Sequence, residues 1–261
     1  MFLKMKQDGI VKGWGCADGR KQHTYIKKNE SISPTVATES LFISCIIYAK
    51  ERCKIATVEI PGAFLQADID EIVHVRFEGI LAELLTNIDP TLYLKYFVKE
   101  RGETVLYDAL EHPLYGTLRA SLLLWRKLTG ILLDNGYKIN PYDWCVTNKI
   151  IDGKQCTILW HVDDLKLSHV SDSVIDTKVE IIDKVFATKE APLTVRRGTK
   201  NDYLGITLNY SKDRKVSIKM FDYIDGFLKD IPESLKGDIP TGDPNNLFEV
   251  GDPASKLNAR D

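Results

Sequence analysis

Two adjacent carboxylates, Asp163 and Asp164, lie inside an otherwise apolar stretch of the chain, QCTILWHVDDLKLSHV. The residues before them are mostly β-branched, aromatic or aliphatic, and those after them alternate between apolar and polar, which predicts two strands joined by a tight bend. Neighbouring carboxylates repel each other, and an apolar setting makes that repulsion costly unless a cation offsets it. A divalent metal ion is one candidate for this cation, whereas a solvated Asp-Asp turn is the plainer interpretation.

A third carboxylate, Glu59, lies near the end of a second apolar run, KIATVEI at residues 54–60, which predicts another strand. Carboxylates on separate strands suit two-metal phosphoryl transfer, in which two Mg²⁺ ions about 3.5–4 Å apart activate an attacking hydroxyl and stabilise the phosphoryl group. Because Mg²⁺ keeps water and phosphate ligands, a few acids suffice. The alternative for Glu59 is a surface acid at a strand end. A weaker hypothesis for the three acids together is that they belong to another metal-dependent phosphoryl hydrolase.

The segments around these acids predict a mixture of helices and strands, and therefore an α+β fold. Apolar residues recur at helical spacing in several segments, and short apolar or alternating runs between them predict strands. The long stretch from 79 to 112 shows no clear pattern. The predicted helices span 33–52, 118–135, 173–188 and 221–231, and further predicted strands span 73–77, 145–149, 192–196, 203–210 and 215–220.

The composition is that of a soluble globular protein, with 44% hydrophobic residues in a chain of 261. No apolar run approaches the roughly 20 residues that span a bilayer, and the N-terminal segment lacks a signal-peptide core, so we expect an intracellular protein without a membrane partner. The five cysteines are odd in number and show no CxxC spacing. This argues against a disulfide framework and a zinc site, and we expect reduced thiols.

The charge distribution is uneven along the chain. A net charge of −2 and a pI near 6.2 do not indicate nucleic-acid binding by themselves. Residues 1–30, however, hold seven Lys or Arg against three acids, whereas residues 230–261 hold three against seven. The sequence thus predicts a basic N-terminal lobe and an acidic C-terminal segment, with an unevenly charged solvated surface as the alternative.

Four motifs occur in the same order as in the reverse transcriptase domain of copia-type long-terminal-repeat retrotransposons. They are SPTVATESLFISCIIYAKE, GAFLQADIDE, LYGTLRASLLLWRKL with NGYKINPYDWCV, and HVDD followed by YLGITLNY. The chain resembles that family from about residue 8 to about residue 250. The ordered combination is specific, although HVDD alone would not be. Two positions depart from the family pattern, since His161 replaces the usual tyrosine and Glu59 replaces the usual aspartate.

The resemblance implies a fingers-and-palm polymerase fold whose palm is an antiparallel sheet backed by helices. Residues 1–231 would form the reverse transcriptase unit, with fingers at approximately 1–53 and 72–113 and the palm in the remainder. Residues 232–261 are rich in Pro, Gly and Asp, and they would be the irregular start of a connection. We expect the RNase H domain to be absent.

The resemblance also implies the catalytic acids. Glu59, Asp163 and Asp164 would hold two Mg²⁺ ions, with Mn²⁺ able to replace them, and Asp163 would be the direct ligand of both ions. Glutamate keeps the charge of the family aspartate, but its additional methylene moves the carboxylate by roughly an ångström, and misplacement of that size can cost on the order of 10²-fold in rate. We therefore expect Glu59 to impair the reaction.

Four further residues would contact substrates if the resemblance holds. Phe64 falls where the family keeps an aromatic ring against the sugar, which could exclude a 2′-hydroxyl, and Gly116 would let the backbone approach the nucleotide or base pair. Arg20 and Lys21 would bind the triphosphate through charge-assisted hydrogen bonds. The alternatives are a core phenylalanine, a glycine at a helix start and plain surface charge.

The function implied by the resemblance is RNA-directed DNA polymerisation, in which a primer 3′-hydroxyl attacks a dNTP on an RNA or DNA template. The alternative is a catalytically inactive retrotransposon remnant that retains the fold and binds primer–template through its basic lobe. Either protein would reside in the cytoplasm or within a retrotransposon particle. The sequence indicates no oligomeric state.

Overall fold

The chain forms an α+β fold of antiparallel sheets and several helices, as the sequence predicts. A computed structural model describes residues 2–5, 11–189, 191–211 and 213–231. The predicted irregular segment 232–261 lies outside the described residues. By its internal contacts the chain divides into two units, Met1–Lys219 and Met220–Asp261.

The helices and strands follow one another in a mixed order. The helices are α1 (Thr38–Glu51), α2 (Ile80–Ile88), α3 (Pro90–Tyr93), α4 (Ala120–Asp134), α5 (Asp172–Phe186) and α6 (Phe221–Asp230). The strands are β1 (Phe2–Met5), β2 (Val11–Trp14), β3 (Lys54–Glu59), β4 (His74–Glu78), β5 (Phe97–Glu100), β6 (Glu103–Ala109), β7 (Lys138–Asn140), β8 (Asp143–Ile151), β9 (Lys154–His161), β10 (Asp164–His169), β11 (Thr194–Arg197), β12 (Lys200–Tyr203), β13 (Ile206–Tyr210) and β14 (Val216–Lys219). Short 3-10 turns lie at Gly19–Thr24, Lys28–Glu30, Ala63–Gln66 and Leu94–Tyr96.

A six-stranded antiparallel sheet with the order β11-β3-β10-β9-β8-β7 is the largest sheet. Its central pair, β9 and β10, is the hairpin that carries the two aspartates, and β3 pairs with β10 along its whole length. Smaller sheets have the orders β12-β13-β14, β4-β6-β5 and β1-β2. The acid-bearing strands thus occupy the interior of the large sheet, where neighbours on both sides fix their positions.

The sheet and three helices share one hydrophobic core. Leu165 and Leu167 on β10 are fully buried, and so are Leu124 and Leu128 on α4 and Ile175 on α5. Burying aliphatic side chains of this size stabilises the fold by about 1.5–3 kcal/mol each. Further core side chains come from α1 and β9, namely Leu41, Cys45, Tyr48, Ile158, Leu159 and Trp160. This core supports the strands that carry the acids.

Two elements differ from the sequence-based prediction. Helix α1 begins at Thr38 rather than near residue 33, and the Ala37 amide before it donates to the Asp143 carboxylate at 3.0 Å. The predicted strand 203–210 is a hairpin, because Leu204 and Gly205 both adopt positive φ angles, +52° and +74°, between β12 and β13. The predicted end of the long helix is confirmed, since α4 stops at Asp134 and Gly136 has a φ of +77°.

All five cysteines are free thiols. Cys45, Cys145 and Cys156 are buried, Cys53 is partly buried and Cys16 is exposed. Among the residues that the structure describes, no helix is both long enough and apolar enough to span a membrane.

Candidate active site

The strand register brings two of the three predicted acids directly opposite each other. Asp164, the first residue of β10, pairs with Glu59, the last residue of β3. Directly opposite residues of antiparallel strands have their Cβ atoms about 4.5–5.5 Å apart and point to the same face. Asp163 precedes β10 in the bend, and its carbonyl accepts a hydrogen bond of 3.0 Å from the Ile60 amide. Glu59 and Asp164 are therefore cross-strand partners where β3 and β10 adjoin, and Asp163 lies beside them in the bend.

The bend that carries the acids has an uncommon backbone conformation. Only two residues, Val162 and Asp163, join β9 to β10, because His161 pairs directly with Asp164. Val162 has a φ of +56°, a region that β-branched residues rarely occupy. Such a conformation persists only when the surroundings enforce it, and here Val162 packs against the hydrophobic core. The strained bend fixes the direction of both neighbouring aspartates.

The electrostatics of Asp164 reflect the crowding of negative charge. Partial burial, together with the charges of Asp163 and Glu59, raises the pKa of Asp164 to about 6, although His161 and Arg196 act in the opposite direction. A carboxyl group with a raised pKa is one whose ionised form lacks a sufficient counter-charge. The site is therefore short of positive charge near neutral pH.

A cavity of about 200 Å³ opens beside Glu59 and Asp164. Strand β11 contributes Thr194, which pairs with Glu59, and Arg196, which pairs with Thr57. The hairpin between β12 and β13 closes another side of the cavity. Tyr203 in this hairpin is buried, and its hydroxyl donates a hydrogen bond of 3.0 Å to the Asp164 carbonyl. This bond connects the YLG motif to the acids.

A pair of aromatic rings lies close to the acids. The rings of Phe64 and Tyr115 have centroids 4.5 Å apart and are tilted by 49°. Burial raises the pKa of Tyr115, and the negative charges of Asp163 and Glu59 contribute to the same shift. The sequence analysis does not predict Tyr115 as a site residue, although it immediately precedes Gly116 in the LYGT motif. Phe64 thus packs against Tyr115, and Tyr115 lies within electrostatic reach of Asp163 and Glu59.

Gly116 holds a close contact between two backbone segments. It has a φ of +89°, and a Cβ atom placed on it would lie 2.0 Å from the Ala17 carbonyl oxygen. The Ala17 amide donates a hydrogen bond of 2.7 Å to the Tyr115 carbonyl. A Cβ atom on Gly19 would in turn lie 2.2 Å from the Gly116 carbonyl oxygen. Gly116 therefore serves a backbone-to-backbone contact in this structure rather than marking only a helix start.

The two predicted basic residues lie next to this contact but differ in their surroundings. The exposed Arg20 forms a two-pronged ion pair with Asp18, with Nε to Oδ1 at 2.8 Å and Nη2 to Oδ2 at 2.6 Å. The hydrogen bond to Arg20 lowers the pKa of Asp18 to about 2. Lys21 lines a cleft of about 570 Å³ together with Gly19 and Thr117. Lys21 is the better placed of the two for an anionic ligand, because the guanidinium of Arg20 already binds a carboxylate.

The donor set at the strand junction suits a hard divalent cation. Carboxylate oxygens are ligands that Mg²⁺ prefers, and Mg²⁺ is usually bound through one or two carboxylates, with water and phosphate completing its shell. Glu59 and Asp164 form such a pair, with Asp163 adjacent. Within the described part of the chain, no three His, Cys, Asp or Glu side chains form a group that could hold a metal by themselves. The geometry therefore fits an ion shared with a substrate rather than a closed protein cage.

Comparison with protein-family models finds no family that matches the chain, and comparison with curated proteins finds no match either.

Proposed function

We propose that the chain is the RNA-directed DNA polymerase domain of a copia-type retrotransposon, with a fingers-and-palm fold. The observation that carries this proposal is the register of Asp164 opposite Glu59, with Asp163 in the bend beside them. Three carboxylates at one strand junction, short of positive charge, are what nucleotidyl transfer with two Mg²⁺ ions requires. The ordered motifs of the sequence support the same function.

The residues around the acids have distinct roles in this proposal. Glu59, Asp163 and Asp164 would hold the Mg²⁺ ions, which supply the Lewis acidity that activates a primer 3′-hydroxyl and stabilises the α-phosphate of a dNTP. Phe64, packed on Tyr115, would present a ring edge to the sugar of the incoming nucleotide. Lys21 would donate to the triphosphate from the neighbouring cleft. Template pairing would select the base.

A primer-extension assay tests the proposal. The purified protein is incubated with a primed RNA template, dNTPs and Mg²⁺ or Mn²⁺, alongside Asp163→Asn and Asp164→Asn. We expect extension that either substitution abolishes. We further expect Glu59→Asp to raise the rate, on the order of 10²-fold, because it restores the shorter carboxylate. If neither the wild type nor Glu59→Asp extends a primer under any metal condition, the polymerase function is refuted.

A catalytically inactive remnant is the second candidate, and the length of the Glu59 side chain favours it. Such a protein would keep the fold and bind primer–template through phosphate contacts without extending the primer. Its binding of an RNA–DNA hybrid should weaken steeply with salt, because each phosphate contact releases counterions. Fluorescence anisotropy between 50 and 200 mM salt measures this slope. The protein is a remnant of this kind if the wild type binds the hybrid without extending the primer and the Glu59→Asp variant does extend it.

A further inference from the structure

A fully buried lysine lies directly beneath the acid-bearing end of β10. Lys166 has no exposed surface, and its Nζ lies 3.5 Å from the Sγ atom of Cys45 on α1, which is also fully buried. The same Nζ lies 4.1 Å from the ring centroid of Tyr48 and 5.7 Å from that of Tyr210. The amine and the thiol are therefore enclosed together by two aromatic rings.

The surroundings of Lys166 are unusual for a buried amine. Burying an ammonium group is costly unless a carboxylate or several hydrogen bonds compensate it. None of the salt bridges in the described part of the chain includes Lys166, and the thiol of Cys45 is its hydrogen-bond partner there. The rings of Tyr48 and Tyr210 compensate part of this cost through cation–π attraction, and they hold the amine beside the thiol of Cys45, where the two groups can react.

We propose that Lys166 and Cys45 are the site of a reversible oxidative cross-link, in which one oxygen atom bridges the lysine nitrogen and the cysteine sulfur. The gap of 3.5 Å between Nζ and Sγ is too long for a direct bond, but a single bridging atom can span it after a small movement. Dioxygen is the oxidant, because it is small and apolar enough to enter a protein interior. The proposal does not depend on the polymerase function.

The chemistry balances with one dioxygen molecule for each cross-link. The S–H bond of Cys45 and one N–H bond of Lys166 break, and an S–O bond and an O–N bond form. Sulfur and nitrogen each give up two electrons, and dioxygen accepts all four. One oxygen atom becomes the bridge, and the other leaves as water with the two hydrogens. Thiol reductants reverse the reaction by attack on the bridged sulfur.

The position of the cross-link gives it a structural consequence. It would tie α1 to β10 across 121 residues of sequence, two residues from Asp164. A link that closes a long loop restricts the unfolded chain and raises stability, and here it would also restrain the strand that carries the acid. Cys156, another fully buried thiol, differs, since it contacts the Tyr137 hydroxyl at 3.1 Å rather than an amine.

Mass spectrometry of the full-length protein tests the proposal. The protein is purified under argon and divided into a portion kept under argon and a portion held in oxygen-saturated buffer. We expect only the oxygen-treated portion to gain the mass of one oxygen atom minus two hydrogen atoms. Tryptic mapping should place this gain on a pair of peptides joined through Cys45 and Lys166, and dithiothreitol should release them. The cross-linked form should also melt at a higher temperature than the reduced form.

Substitutions provide the controls. Lys166→Met and Cys45→Ala should both abolish the mass gain, whereas Cys156→Ala should retain it. The wild-type peptide map remains decisive if a core variant fails to fold. The proposal is overturned if oxygen leaves the wild-type mass unchanged, if the gain maps to another cysteine, or if Cys45 gains oxygen without loss of hydrogen, which is ordinary sulfenic or sulfinic acid formation.

Discussion

Asp164 is the direct cross-strand partner of Glu59, so two carboxylates occupy one face of the same antiparallel ladder. Like charges in opposite positions destabilise a strand pair. Partial burial and the charges of Asp163 and Glu59 together raise the pKa of Asp164 to about 6. The fold thus carries an unfavourable charge arrangement in the interior of its largest sheet. A divalent cation would relieve it, so the proposed ion site predicts that metal binding raises the stability of the protein.

Replacing Asp164 with asparagine should stabilise the metal-free protein at pH 7.5. The substitution removes a partly buried charge that two neighbouring acids repel, and we expect a rise in melting temperature of roughly 2–4 °C. Addition of Mn²⁺ should stabilise the wild type but have little effect on Asp164→Asn. Differential scanning fluorimetry measures both effects. Asp152→Asn, in an exposed turn, is the matched control and should respond to Mn²⁺ like the wild type. If Mn²⁺ does not change the melting temperature of the wild type, the expected ion site at Glu59 and Asp164 is contradicted.

The stability difference between the wild type and Asp164→Asn should depend on pH. The folded pKa of Asp164, about 6, lies above the ordinary aspartate value of 3.8, so between these values the folded state keeps a proton that the unfolded state has lost. The side chain therefore lowers stability as pH rises from about 4 to about 6, and the loss stays constant above that range. Urea unfolding of the metal-free proteins between pH 4 and pH 8 should show the two curves separating in that window. Parallel curves would show that Asp164 has an ordinary pKa.

Replacing Tyr203 with phenylalanine should loosen the acid-bearing strand. Its hydroxyl donates to the Asp164 carbonyl at 3.0 Å, and loss of such a bond costs about 0.5–1.5 kcal/mol in the free energy of unfolding. Because the bond fixes the residue that carries the carboxylate, we also expect weaker Mn²⁺ binding by isothermal titration calorimetry. Tyr142→Phe, at a residue that is 97% exposed, should change neither quantity. Unchanged Mn²⁺ affinity in Tyr203→Phe would mean that the bond serves stability alone.

The rings of Phe64 and Tyr115 should be energetically coupled. Their centroids lie 4.5 Å apart, and aromatic pairs of this kind are worth about 0.5–1.5 kcal/mol beyond the area that they bury. A double-mutant cycle with Phe64→Leu, Tyr115→Leu and the double variant gives the coupling energy of the two rings. The free energies of unfolding for this cycle are measured by urea unfolding. A second readout follows from the proposed function, since Phe64→Leu should increase incorporation of ribonucleotides. Additive single effects would show that the rings do not support each other.

Local signals explain which parts of the site could be predicted from the sequence. β9 and β3 are mostly apolar runs and β10 alternates between apolar and polar residues, so the existence of these strands and the place of the acids at their ends follow from the residues themselves. The register between them is not a local property. It depends on the packing of β3 between β10 and β11, which decides that Asp164 rather than Asp163 pairs with Glu59 in the ladder.

The sequence does not predict Tyr115 as a site residue or the turn at Leu204, because no local signal marks either one. Tyr115 lies in an irregular segment, and its place beside Phe64 results from the contact between Gly116 and the Ala17 backbone. Leu204 adopts a positive φ that its residue type disfavours, so YLGI reads as a continuous strand. In both cases the tertiary structure determines a conformation that the local sequence does not indicate.

Alanine substitutions at Gly116 and Gly102 distinguish the effect of the close backbone contact at Gly116 from the cost of a positive φ angle. Gly116 and Gly102 have nearly the same φ angle, +89° and +88°, but a Cβ atom would lie 2.0 Å from the Ala17 carbonyl oxygen at Gly116 and would meet nothing within 4 Å at Gly102. Gly102→Ala should therefore show only the cost of the left-handed conformation, about 1–2 kcal/mol in the free energy of unfolding.

Gly116→Ala should be destabilised by more than this, because the Ala17 carbonyl is backbone and cannot rotate away, and because the hydrogen bond from the Ala17 amide to the Tyr115 carbonyl would be lost with it. Urea unfolding measures both variants. Limited proteolysis should also cut near Ala17 faster in Gly116→Ala than in Gly102→Ala. Equal destabilisation with unchanged proteolysis would show that Gly116 is needed only for its φ angle, and that residues 17–21 are held beside Tyr115 by other contacts.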